Sequence, residues 1–79
     1  MTDHLELIRS IIKNNPDLGC RVAPADIAAG HRIRQDLGMD SLGMMGLLYE
    51  LQEKFPHVQE QELAGWKTVA DIIGSMQRR

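Results

Sequence analysis

Apolar residues in this chain recur every three or four positions, and nowhere do β-branched or aromatic residues alternate steadily with polar ones. That pattern selects helices that each bury one stripe, and it argues against strands. The 79 residues make one small domain, residues 1–79, with no internal repeat, low-complexity tract or dividing linker. A domain of this size buries only about 60% of its unfolded surface. A deep pocket with its own catalytic constellation is hard to build on so thin a core, which favours carrying or binding over catalysis.

Four helical segments can be placed. Asp3 and Glu6 have capping-box spacing, and Leu5, Ile8, Ile11 and Ile12 follow in helical register, so a first helix is expected over Asp3–Asn14, stopped by Asn15-Pro16. A long connection, Pro16–Asp40, holds Gly19, Pro24, Gly30 and Gly38, with a short helical turn expected around Ala25–Ala29. Connections of this length within small domains are often functional. The second helix runs from Ser41 to Lys54, started by the capping types Asp40 and Ser41 and stopped at Phe55-Pro56. A short third segment is expected at Glu60–Ala64, with Trp66 packing it onto the rest. Thr68 can cap a last helix whose stripe is Val69, Ile72, Ile73 and Met76, ahead of Gln77-Arg78-Arg79, whose charges suit a helix C-terminus. The fold class is all-α.

Charge and composition narrow the function. Nine basic against eleven acidic side chains give a net charge of -2, without the positive field that a nucleic-acid partner requires. A single cysteine, Cys20, excludes an internal disulfide framework and a cysteine zinc cluster; it reads as a small, partly buried residue in a reducing, cytoplasmic setting. His4, His31 and His57 are scattered, so they read as surface residues, and no metal site is expected. No apolar run is long enough for a signal-peptide core or a membrane span, so a soluble, unprocessed monomer is expected.

The second helix has two apolar faces. At about 100° per residue, Met44, Leu47, Leu48, Leu51 and Phe55 share one broad arc, the core side, while Leu42, Met45 and Tyr49 gather on another. Either the helix is central and buried all round, or the second stripe is exposed for docking partners. Only four segments are available to enclose it, which favours the exposed stripe. Gly43 and Gly46 each cost about 0.5–1 kcal/mol in a helix interior relative to Ala, a penalty that makes sense where another backbone approaches closely.

Ser41 stands where a loop becomes a helix, a place with unpaired amide groups and partial positive charge that stabilises a phosphate. From spacing alone it reads first as a cap, a common serine role. Its neighbours change that weighting. The stretch Asp36-Leu37-Gly38-Met39-Asp40-Ser41-Leu42 resembles the attachment motif of acyl carrier proteins, whose hallmark is Asp-Ser-Leu preceded by Leu-Gly, and the layout of helices and loop resembles that family along most of the chain.

The resemblance implies a four-helix bundle with a long first loop and a short third helix. It also implies that Ser41 carries 4′-phosphopantetheine, with Asp40 and Leu42 helping a phosphopantetheinyl transferase recognise the helix start. Nothing near Ser41 in sequence resembles a general base, so Ser41 is a substrate for modification and no catalytic residue is assigned. The Met44 side of the second helix is expected to part for a short acyl chain. Further partners would be an acyl- or aminoacyl-loading ligase or transferase and ketosynthase-like pathway enzymes, met through Leu42, Gly43, Met45, Gly46, Tyr49, Glu50 and Glu53.

The chain also departs from carriers of bacterial fatty acid synthesis, which resemble acidic rods. Gly43 and Gly46 stand where such carriers usually have carboxylates, Glu50 and Glu53 are the only acids between Leu42 and Lys54, and His31, Arg32 and Arg34 add positive charge before Ser41. Since charge pattern steers association, a specialised lipid or secondary-metabolite pathway is favoured over housekeeping fatty acid synthesis. The alternatives are an aminoacyl or peptidyl carrier loaded by an adenylating ligase, and an unmodified helical interaction module.

Overall fold

The computed structural model describes residues 3–77. Helix α1 spans His4–Asn14, and the Asp3 carboxylate caps it by accepting the Leu5 N–H at 3.0 Å. Glu6 pairs with Arg9 one turn on. The helix ends where Asn15 turns its amide onto the Ile11 carbonyl at 2.7 Å and Pro16 follows. Ile8, Ile11 and Ile12 face the core, as their spacing requires.

The connection after α1 is an ordered strap. It contains 3-10 turns at Pro16–Leu18 and Pro24–Asp26, the second slightly ahead of the turn expected around Ala25–Ala29. Leu18, Ile27, Ile33, Leu37 and Met39 all drop into the core, so the strap forms one wall of it. Arg9 of α1 donates through Nε and Nη2 to the Ile27 carbonyl at 2.9 and 2.7 Å, which ties the strap to the first helix. Farther along, Arg32 and Thr68 form an antiparallel bridge, flanked by Ile33 N–H to Lys67 O at 2.9 Å and Val69 N–H to His31 O at 3.0 Å. Gly38 turns the strap toward the next helix with φ of 72°, a left-handed conformation that a residue with a β-carbon adopts at a cost.

Helix α2 covers Ser41–Lys54, and Phe55 ends it by donating its N–H to Leu51 O at 2.7 Å. Met44, Leu47, Leu48 and Leu51 are buried, and Phe55 packs partly buried against them. A 3-10 helix, Glu60–Gly65, follows; the Glu62 carboxylate accepts the Gln59 N–H at 2.7 Å to fix its start. Trp66 is buried at its end, and its indole N–H donates to Ser75 Oγ at 2.9 Å, fastening this segment to the last helix.

Helix α3 spans Val69–Gln77. At its start Asp71 reaches back to accept the N–H groups of Lys67 at 2.9 Å and Thr68 at 3.0 Å. Those two N–H groups, Thr68 first, hold the Asp71 carboxyl below the usual carboxylate range. Val69, Ile72 and Met76 face the core and Ile73 lies at its margin. Arg78 and Arg79, expected to favour the end of this helix, lie outside the described residues. The architecture is the all-α bundle anticipated above, with the short third helix wound as 3-10.

The three histidines are more engaged than a surface placement implies. All are half-buried. His31 Nδ1 accepts the Ala28 N–H at 3.0 Å, and His57 Nε2 lies 3.0 and 3.1 Å from the Ser75 and Met76 carbonyls at the end of α3. His4 and His57 both lie beside the Phe55 ring, so these side chains tie α1, α2 and α3 together. Cys20 is half-buried and free, with Sγ 3.3 Å from the Val22 carbonyl.

Candidate functional site

At the start of α2 the two polar neighbours have separate tasks. Asp40 is the N-cap: its Oδ1 accepts the Gly43 N–H at 2.9 Å. Ser41 is therefore the first helical residue, exposed, and its hydroxyl is not spent on capping. The cap role that spacing offered to Ser41 belongs to Asp40. Arg34 reaches the serine from the strap, with Nη2 donating to Ser41 Oγ at 2.9 Å.

A guanidinium offers donors and no acceptor, so it cannot take the serine proton as a base would. Its charge at the start of a 14-residue helix adds to the helix dipole, and both favour an anion attached to Oγ. A phosphodiester thus fits these residues: an accessible hydroxyl, a cation in contact with it and a positive helix end. Among the described residues no cluster of three or more potential metal ligands occurs.

Arg32, four residues after Ala28 in the strap, is itself organised. Its N–H donates to Asp36 Oδ2 at 2.7 Å, and its Nε lies 3.6 Å from the same oxygen. The Arg32 N–H is the main reason that the Asp36 carboxyl lies below the usual range; desolvation opposes it, and the guanidinium charge adds a smaller lowering.

Along α2 the second apolar stripe is outward. Leu42 is 79% and Tyr49 55% exposed, while Met45 between them is half-buried. Glu50 is half-buried and Glu53 exposed. The glycines have a different explanation from the one expected. Gly43 is buried, and a β-carbon on it would collide with the backbone carbonyl of Leu18; one on Gly46 would lie 2.7 Å from Leu18 Cδ2. The close approach that glycine permits is made by the strap of this chain, whose Leu18 lies against Gly43 beside a groove that Gly43 and Gly46 both line.

Arg34 also lines a cavity of about 590 Å³ between the strap, α2 and the 3-10 helix. Met44, Leu63 and Trp66 supply its apolar walls, and Arg34 and Lys67 stand among its polar residues. Arg34 thus belongs both to the serine site and to this cavity, a juxtaposition made by the bridge of the strap to Thr68. The sequence indicates only that the loop before Ser41 is basic.

These features belong to a small helical scaffold that holds an exposed serine hydroxyl at the start of a helix, in contact with a cation. The family model for the phosphopantetheine attachment site matches residues 6–75, and the chain belongs to that family. Its relatives are named acyl carrier proteins: one from Phytoplasma australiense is 33% identical over 70 residues, covering 87% of both chains. Another, from Chlamydia trachomatis serovar D, is 34% identical over 59 residues, which is 73% of this chain and 77% of the relative. A third, from Rhodococcus erythropolis, is 29% identical over 58 residues, 72% of this chain but 64% of the relative's length. The domain is accordingly of the acyl carrier type, a carrier and not an enzyme, and its prosthetic group is 4′-phosphopantetheine. No helix among the described residues is long and apolar enough to cross a membrane.

Proposed function

We propose that residues 1–79 act as a single, cytoplasmic carrier domain, modified on Ser41 and serving a specialised lipid or secondary-metabolite pathway. The observation that carries this reading is the division of labour at the start of α2, where Asp40 caps the helix and leaves the Ser41 hydroxyl accessible. When attached, 4′-phosphopantetheine supplies a terminal thiol on which an acyl group is held as a thioester. The chain's own residues place the attachment point on the first turn of α2, occupy the Asp40 carboxylate with the Gly43 N–H and favour negative charge at Ser41 through Arg34. A phosphopantetheinyl transferase must therefore bring the activation, recognising Asp40, Ser41 and Leu42 at the helix start.

The partner surface is the outward side of α2, with Leu42, Met45 and Tyr49 as its apolar stripe and Glu50 and Glu53 as its charges. Support for a dedicated pathway comes from what this helix lacks. Gly43 and Gly46 lie against Leu18 and contribute no carboxylates, so enzymes that steer toward a strongly acidic helix have little to meet. The cognate loading or condensing enzyme is proposed to meet an apolar patch. Incubating the modified protein with panels of acyl transferases and adenylating ligases, with intact mass as readout, tests this. Loading by an acyl-specific enzyme in preference to those of ordinary fatty acid synthesis is expected, and efficient loading by the latter would contradict it.

A further inference from the structure

Arg34 is seven residues before Ser41, yet its guanidinium is in hydrogen-bond contact with Ser41 Oγ. Arg9 and Arg32 pair with Glu6 and Asp36, but no carboxylate lies within ion-pair distance of Arg34 among the described residues. Asp40, the acid adjacent in sequence to Ser41, has its carboxylate on the Gly43 N–H. A cation without a carboxylate partner therefore touches the hydroxyl proposed for modification, and the same side chain lines the cavity walled by Met44, Leu63 and Trp66.

We propose that Arg34 is a phosphate-binding residue: once Ser41 is esterified, its guanidinium holds the non-bridging oxygens of the phosphodiester and sets the arm at the mouth of that cavity. The inference rests on modification of Ser41. Esterification turns Oγ into a bridging oxygen, a poorer acceptor than the hydroxyl, and places two oxygens sharing one negative charge within reach of the same group. The fork of a guanidinium matches two such oxygens, and bonds between two ionised partners are stronger and more directional than the present one, in which only the guanidinium is charged. No bond to Arg34 is made or broken covalently. The phosphate is fixed where α2 begins, and the rest of the arm leaves from the cavity side because Arg34 stands on that side.

The test uses the full chain, modified by a transferase with coenzyme A, as wild type and as Arg34→Gln, with intact mass establishing one adduct per chain. Arg34 is exposed and contributes nothing to the core, so the variant retains the helical circular dichroism of the wild type. The wild-type ³¹P resonance is expected to differ in shift from that of Arg34→Gln and to relax with the domain, whereas the variant's relaxes as a mobile arm. The difference narrows as salt rises, because both partners are exposed and screened. The Arg34 Nε–H resonance should also move on modification. Trp66 is the sole tryptophan and lines the cavity, so its emission comes from one wall of it, and modification should alter it in wild type more than in the variant. An adduct with superimposable ³¹P shift and relaxation in both proteins would overturn the role of Arg34 while leaving the Ser41 assignment standing. Absence of any adduct on wild type would overturn both.

Discussion

The backbone carbonyl of Leu18 lies against the α-carbon side of Gly43, so that a β-carbon at position 43 would collide with it and also lie 3.3 Å from the Leu18 carbonyl carbon. The obstacle is backbone held by the Pro16–Leu18 turn, so the clash is relieved only by moving the strap. Gly43→Ala should therefore destabilise the domain by about 1–3 kcal/mol, although Ala is the better helix former by up to about 1 kcal/mol. Gly46→Ala should cost less, because its neighbour is the end of the Leu18 side chain, which can rotate. Urea unfolding of both variants checks the order.

Capping and modification should separate cleanly by mutation. Asp40→Ala removes the bond to Gly43 N–H and should lower stability by about 1 kcal/mol. Ser41→Ala should leave stability within about 0.5 kcal/mol of wild type, as for a surface change outside special features. Thermal melts of the unmodified proteins distinguish the two; equal losses would return the cap to Ser41.

The span Ser41–Lys54 was legible because Asp40 and Phe55-Pro56 are local signals, and the inward arc follows from geometry along one helix. Leu18 on Gly43 was not legible, since a loop residue has no periodicity to say what it covers. The same holds for the Arg32–Thr68 bridge, a single long-range pairing without strand patterning, and hence for Arg34 meeting Ser41. The glycines announced a close approach correctly, but no local pattern could tell a partner from the chain's own strap.

Acid should weaken the domain through Asp36 and Asp71. Both carboxyls are held below the usual range in the folded state. A depressed folded pKa means that the stabilisation is fully present above the unfolded value and is lost as pH falls through the folded one. Stability should decline below the ordinary carboxylate range, and Asp71→Asn should be less stable at neutral pH while showing a shallower acid decline. Urea midpoints across that range for wild type and Asp71→Asn measure it.

The exposed ring of Tyr49 should matter to partners more than to the fold. Tyr49→Ala is expected to leave the melting temperature nearly unchanged and to slow loading by a cognate enzyme by about fivefold, a loss of roughly 1 kcal/mol. Rates should depend weakly on salt, since the stripe is apolar. A steep salt dependence with an inert Tyr49→Ala would place recognition elsewhere.

The most direct test of the central claim is intact mass after incubation with a broad phosphopantetheinyl transferase, magnesium and coenzyme A. Wild type should gain one phosphopantetheine, localised to Ser41 by fragmentation, and Ser41→Ala, folded as judged by circular dichroism, should gain none. A wild-type chain that stays unmodified with several such transferases, or a Ser41→Ala chain that still takes the adduct, would contradict the account.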